Sequence, residues 1–370
     1  MSILDFIFYS FSVVVFIQAV FYFIFFGNFA FLKLRKEKPT NAPVSVIICA
    51  KNEAENLKNF LPSIISQDYP DFQIVLINDS SSDNTLHVME HFSEQHSNIK
   101  IVDVKSIEAF WGNKKYALTL GIKASKNEFL LFTDADCKPV SKHWIKEMSS
   151  HFNNEKTIIL GYGAYSKVKN SFLNKLIRFE TLITAIQYFS FAKIGLPYMG
   201  VGRNLAYTKK EFFNANGFIN HIKILSGDDD LFINQVATRK NTAIAFSKES
   251  FTESNPKTSF KNWFKQKRRH VSTAKHYKSK HKILLTLLFS SNFLFWFLSI
   301  FLFISNYNWQ LILGLFLFRI LFQYIIIGFS SKKLNEIDLL IWLPFLEIFL
   351  IITQLTIFIN NLISKPNFWK

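Results

Sequence analysis

The chain has 370 residues, with 43 Lys and Arg against 27 Asp and Glu, for a formal net charge of +16. Its length allows one large domain, or one domain with an appendage. Hydrophobic residues make up 49% and 43 are Phe, a composition that excludes an ordinary soluble protein.

The apolar excess starts at once. No charged residue occurs from Phe6 to Leu32, a run long enough for a helix to cross a bilayer. It is too long for a signal-peptide core, no Lys or Arg precedes it, and no small-residue cleavage site follows. Residues 1–32 are therefore expected to be a retained anchor.

Residues 33–281 are built differently. "VSVIICA" (44–50), "FQIVLI" (72–77), "IKIVDV" (99–104) and "FLLFT" (129–133) are β-branched or aromatic runs of strand length. Stretches suited to helices, such as Glu53–Gln67 and Thr85–His96, lie between them. This alternation predicts an α/β domain with a mostly parallel sheet covered on both faces. Ligands of such sheets bind beyond the carboxyl ends of the strands. The acids fall there: Glu53 after the first strand, Asp79 after the second, Asp134 and Asp136 after the fourth. Cys49 and Cys137 have no metal-ligand spacing, so a reducing compartment without a disulfide is the simple reading.

Residues 282–370 are apolar again, with candidate spans at Ile283–Ile304, Trp309–Phe329 and Leu339–Ile363. Lys33, Arg35, Lys36 and Lys38 follow the first span of the chain. Lys278, Lys280 and Lys282 precede the second, and Lys332 and Lys333 follow the third. The positive-inside tendency puts the central domain in the cytoplasm. A third C-terminal crossing would leave Lys365 and Lys370 outside, so the last segment, which contains Pro344, is also read as re-entrant or interfacial. This gives two to three spans. Arg319 and Glu347 fall near the midplane of the third and fourth segments, where a lone charge costs a few kcal/mol. They are expected to pair; the rival is that Arg319 binds a lipid phosphate.

In "LLFTDADCKP", Asp134 and Asp136 are separated by one residue. Two carboxylates so placed at a strand end can share Mg²⁺ or Mn²⁺ with substrate phosphates. Turn and cap aspartates produce the same pattern frequently. Four further stretches sharpen the choice: "VSVIICAKNE", "INDSSSDNT" (77–85), "GNKKYAL" (112–118) and, after the acids, "SGDDDLF" (226–232). "QKRRH" (266–270) completes the order. Together they resemble family 2 glycosyltransferases, with a GT-A nucleotide-diphospho-sugar fold, in the membrane-integrated branch that includes polysaccharide synthases.

The resemblance implies an inverting transfer from a UDP-sugar to a lipid-linked or glycan acceptor, for cell-envelope or extracellular polysaccharide. Glu53 and Asp79 would hold uracil and ribose, with Asn78 standing where relatives carry a first Asp. Lys114 would lie near the diphosphate or sugar, Asp134 beside the sugar and ribose, and Asp136 would be the main metal ligand. An aspartate of "GDDD" would take the acceptor proton, Asp229 first and Asp228 second. Arg269 would contact the diphosphate and Gln266 the acceptor, and His270 replaces the family's Trp. Gly202, Arg203 and Asn204 resemble a stretch lining the acceptor site. Phe172, Leu176, Phe179, Ile183 and Ile186 recur at helical spacing, fitting either a helix on the inner membrane face or core packing.

Other readings compete. A non-catalytic assembly or transport subunit could bind nucleotide sugar without turning it over, and an export or assembly partner fits either role. Nucleic acid is a poor partner, since the positives cluster beside the spans and no aromatic-basic recognition motif occurs.

Overall fold

The computed structural model describes residues 2–34, 40–105 and 114–364. Gly112 and Asn113 of "GNKKYAL" lie outside the described residues, as do Arg35, Lys36, Lys38, Lys365 and Lys370. The chain opens on helix α1 (Ile3–Ala30), which carries a π-helical stretch at Phe21–Phe26. Then follow β1 (Val44–Ala50), α2 (Ala54–Ile65), β2 (Phe72–Asp79), α3 (Thr85–Gln95), β3 (Ile99–Val104), α4 (Lys114–Ala124) and β4 (Phe129–Asp134). The four strands read from the sequence start where expected, because each β-branched run is too short to be a buried helix.

The remainder of the domain comprises β5 (Cys137–Pro139), α5 (Trp144–Ser149), β6 (Ile158–Leu160), β7 (Gly163–Tyr165), α6 (Phe172–Lys193), β8 (Leu205–Thr208), α7 (Lys209–Asn214), α8 (Asp230–Val236), β9 (Thr242–Ile244), β10 (Thr252–Ser254) and α9 (Phe260–Val271). One sheet has seven strands in the order β3-β2-β1-β4-β8-β6-β9, and a second has three, β5-β10-β7. β1 pairs in parallel with β2 and β4, whereas β8 runs antiparallel to β4 and β6. This is an α/β fold with a mixed, mostly parallel sheet.

Alternation across the pleat divides the core. Val46, Ile48, Ile74 and Leu76 pack with Leu57, Leu61, Met89 and Trp144 on one face. Ile47, Val75, Ile77 and Phe132 pack with Ala117, Ile122, Leu182 and Ile186 on the other. A sheet buried on both faces needs nearly continuous apolar strands, which is what the sequence supplies. Helix α6 belongs to this core. Leu176, Phe179 and Ile186 are buried, Phe189 and Phe191 meet Phe29 and Phe25 of α1, and Arg178 is buried against Glu336 and Asp338. Core packing thus accounts for most of its apolar spacing, while Phe172 is exposed and Ile183 partly covered.

After α9 come α10 (Ser279–Ile304), α11 (Trp309–Lys333) and α12 (Leu343–Ile363), the last preceded by a 3₁₀ segment, Ile337–Trp342. Together with α1 these give four helical segments long and apolar enough to cross a membrane. The fourth differs from the rest, because both its ends are tied to the central domain. At its start, Arg178 of α6 binds Glu336 and Asp338. At its end, Arg268 of α9 donates to Asn361 Oδ1, to the Asn360 carbonyl and to Ser364.

Within the helical bundle, Arg319 and Glu347 pair as expected, at 2.6 Å and 3.0 Å. The guanidinium also donates to Gln18 and Gln323, while Trp296 and Gln323 donate to Glu347. Its carbon lies 4.4 Å from the centre of the Phe295 ring. Four elements, α1, α10, α11 and α12, thus share one buried polar cluster. Removing one partner leaves the other charge buried and uncompensated, at a cost of about 3–5 kcal/mol. Arg319→Leu and Glu347→Leu should each sharply lower the yield of folded, detergent-extracted protein. The double replacement should recover part of that yield, and a purely additive loss would refute the coupling.

Candidate functional site

The strand ends deliver the acids. Cys49 of β1 is in register with Asp134 of β4, and Ala50 with Asn78 of β2, so the loops after β1, β2 and β4 emerge side by side. Below them lies a cavity of about 20 Å³ whose lining includes Cys49, Lys114, Thr133, Asp134, Gly202, Asp228 and Asp229. Residues from β1, β4, α4 and two later loops therefore converge at one point.

Lys114 opens α4, and its ammonium lies 2.9 Å from Asp134 and 3.1 Å from Asp228. Burial disfavours its charge, yet the two carboxylates outweigh that and hold its pKa well above the ordinary lysine value. Asp228 responds in the opposite sense: burial pushes it up, but Lys114 pulls it below the usual carboxylate range.

The three adjacent acids have three different partners. Asp228 faces Lys114. Asp229 caps α8, accepting from the Asp230 N–H at 2.8 Å and from the Gly202 N–H at 2.7 Å. Asp230 points away, accepting from Tyr277 Oη at 2.6 Å and Thr273 Oγ1 at 2.5 Å in the connection to α10. Gly227, at φ +92°, makes the turn that separates them from the preceding loop, a conformation costly for any residue with a Cβ. Burial, reinforced by the charges of Asp228 and Asp230, pushes Asp229 up to about 7. A carboxyl with that pKa exchanges a proton near neutral pH.

Asp134 and Asp136 flank buried Ala135, and with Cys137 they present ligand atoms within 4.8 Å of one another. Burial and the neighbouring Asp134 raise the Asp136 pKa, opposed by Arg203. A divalent cation would relieve that repulsion, so the two acids fit one. The Cys137 thiol is engaged with Ser254 at 2.9 Å, and hard cations prefer the oxygens.

Asp79 is buried, and its Oδ2 has no hydrogen-bond partner among the described residues. Burial raises its pKa, countered by Lys51 and Lys114. Burial likewise raises Glu53, followed by the charges of Asp136 and Asp134, which places it on the same rim. Asn78 is occupied locally, donating to Asp103 and accepting from the Ser81 N–H.

Gln266, Arg269 and His270 lie on α9, outside the cavity lining. Burial lowers the Arg269 pKa, while Asp228, Asp134 and Asp229 all oppose that shift, so its guanidinium lies within their electrostatic reach. Gln266 Oε1 is buried and has no hydrogen-bond partner among the described residues. His270 is exposed. Of the "GVGRN" residues, Gly202 joins the site through its N–H, and Arg203 stacks over Tyr165 and bonds the Ala164 carbonyl. Asn204 is fully buried, donating to the Tyr162 and Ser250 carbonyls and accepting from Trp144. Its place is structural.

Sequence reasoning passed over Cys49, Thr133, Lys115, Thr273 and Tyr277. Cys49 and Thr133 read as strand residues. Tyr277 and Thr273 lie more than 40 positions from Asp230, and no local pattern links them.

The family model for glycosyl transferase family 2 matches residues 45–219. Among curated relatives, the poly-beta-1,6-N-acetyl-D-glucosamine synthase of Staphylococcus epidermidis is 33% identical over 105 residues, covering 28% of this chain and 24% of its own. Glycosyltransferase AglE of Haloferax volcanii is 31% identical over 194 residues, covering 50% of this chain and 58% of its own. The chain thus spans about a quarter of the first and little over half of the second. Among solved structures, the mannosyltransferase PcManGT from Pyrobaculum calidifontis, in complex with GDP-Man and Mn²⁺, superposes with a TM-score of 0.59 at 15% identity. That likeness spans 92% of this chain and 97% of the other, and establishes a shared fold.

Proposed function

We propose that this glycosyltransferase moves a sugar, with inversion, from a UDP-sugar to a hydroxyl of a lipid-linked or glycan acceptor. One observation carries the reading: Asp229 is held by two backbone N–H groups with its pKa near 7, in a cavity it shares with Lys114 and Asp134.

In this reading Asp229 accepts the proton of the attacking acceptor hydroxyl. Asp228 is a weaker candidate for that role, because Lys114 holds it ionised at low basicity. Lys114 lies where a cation would meet the donor's diphosphate or sugar. Asp134 lies beside it to receive sugar or ribose hydroxyls. Asp79, with an oxygen left free of partners, and Glu53 accept from the uracil and ribose. Arg269 offers paired donors to the departing diphosphate. Gln266 orients the acceptor, with His270 beside it at the membrane boundary. Asp136, with Asp134, would hold Mg²⁺ or Mn²⁺, which when bound offsets charge on the diphosphate.

The reading extends to the membrane: an anchor at 1–32, a cytoplasmic catalytic domain at 33–281 and a membrane region at 282–370, in a multi-pass protein of the cell membrane. Helices α1, α10 and α11 cross. Helix α12, one unbroken helix from Leu343 to Ile363, lies along the interface on the catalytic side, supported by the ties of Glu336 to Arg178 and of Ser364 to Arg268. Lys365 and Lys370 then remain with the other lysines on the cytoplasmic side.

The base, the metal and the topology are each tested. With a panel of UDP-sugars and membrane lipid extract, Asp229→Asn should lower turnover by about 10²–10⁴-fold while UDP binding persists. Wild-type turnover should fall as pH drops through about 7, since the base is lost on protonation. Undiminished turnover in Asp229→Asn would overturn the base assignment. Chelation by EDTA and the Asp136→Asn replacement should each abolish transfer, and Asp136→Asn should also lose Mn²⁺ binding by electron paramagnetic resonance. Full activity in chelator refutes the metal role. A fluorescent reporter fused after Lys370 should fold and a phosphatase reporter there should stay inactive; the reverse would mean that α12 crosses.

A further inference from the structure

We propose that Lys115 is a positioning residue for the transfer: its buried ammonium fastens the loop that presents Asp228 and Asp229. Lys115 is 2% exposed, and its Nζ donates to the carbonyls of His221, Ile224 and Ser226 at 2.7, 2.8 and 2.8 Å. An ammonium has three N–H donors, and three bonds of this length go to that one segment. The carbonyls come from one short segment, ending one residue before the Gly227 turn and two before Asp228.

That segment is an irregular one. After the 3₁₀ turn at Ile219–His221 no regular element intervenes before α8. Leu225 is 46% exposed, Lys223 is exposed, and Ile222 and Ile224 are only partly covered. Ile222 and Ile224 pack against the core, and charge-assisted bonds from Lys115 fix the backbone between them and the acids. The support is rigid, since Ala117, Leu118 and Ile122 of the same helix lie in the core. The first turn of α4 thus reaches the acidic segment twice, by Lys114 on the Asp228 carboxylate and by Lys115 on the backbone just before it.

Burying an ammonium is costly without compensation. Burial pulls the Lys115 pKa down to about 8, opposed by Asp228, Asp230 and Asp229, so it remains charged at neutral pH. Its charge also lowers the pKa of His221, after burial, and that of His276, after burial and Lys275.

The inference rests on Asp229 acting as the base, and the test separates the two. Lys115→Met removes all three donors at similar volume, and Lys115→Gln keeps part of them should the first variant fail to fold. Amide hydrogen exchange over 219–227 reads the fastening without reference to chemistry, and should accelerate in both variants, more in Met. Turnover should fall by about 100-fold in Lys115→Met, the scale of a small misplacement at a reacting centre, and less in Lys115→Gln. UDP affinity, set by other residues, should stay within about twofold of wild type, which also reports that the fold survives. Unchanged exchange in the loop, or a loss of UDP affinity parallel to the loss of turnover, overturns the proposal. Faster exchange with normal turnover also overturns it, while an active Asp229→Asn enzyme would instead remove the base assignment.

Discussion

One ammonium, that of Lys114, lies between two carboxylates that the chain brings from strand β4 and from the loop before α8. The rest of the site depends on it. Without a cation there, Asp134 and Asp228 would face each other in a poorly solvated cavity, and one would have to take up a proton. With it, Asp228 is held ionised, and that fixed negative charge adds to burial in raising its neighbour Asp229. A run of three adjacent acids becomes three different groups because each meets a different environment. One is paired, one is left basic, and one is turned toward the membrane connection.

The third acid links the site to the bundle. Asp230 accepts from Thr273 and Tyr277, which lie just before α10 begins at Ser279. Arg178 reaches from the domain core to the start of the last apolar segment, and Arg268 reaches its end. Arg319 and Glu347 then join that segment to the other helices. The links of Asp230, Arg178 to Glu336, and Arg319 to Glu347 are charged or strongly polar contacts taken out of water, while that of Arg268 to Ser364 is exposed. Such contacts are directional and expensive to leave half-made, so they specify geometry more than they add stability. The central domain and the apolar helices are thereby held in one register.

The Gln-containing helix α9 has a similar division of labour. Arg268 is committed to the end of α12, Lys267 pairs with Glu180 of α6, and Arg269 faces the acids. A basic run that reads as a single patch in one dimension is, in three, two fasteners and one group within electrostatic reach of the acids.

Much of this was legible beforehand. The strand runs, their alternation with helices and the acids at their ends follow from side-chain chemistry that acts within a few residues, and a hydrophobic period survives in any linear string. Charges within apolar helices are costly enough that Arg319 and Glu347 could be matched from hydropathy alone. The packing of α6 was not decided there, because an apolar stripe looks the same whether it meets lipid or a sheet; its contacts with α1 and β9 come only with folding. Nor could "GDDD" be divided among roles, since the partners of Asp228, Asp229 and Asp230 come from α4, the Gly202 loop and the approach to α10. The same holds for Lys115, whose three acceptors are backbone carbonyls and carry no side-chain signature at all. Local patterns determine which groups the chain carries to the strand ends; which of them meet, and with what charge and burial, is set by long-range contacts that only folding creates.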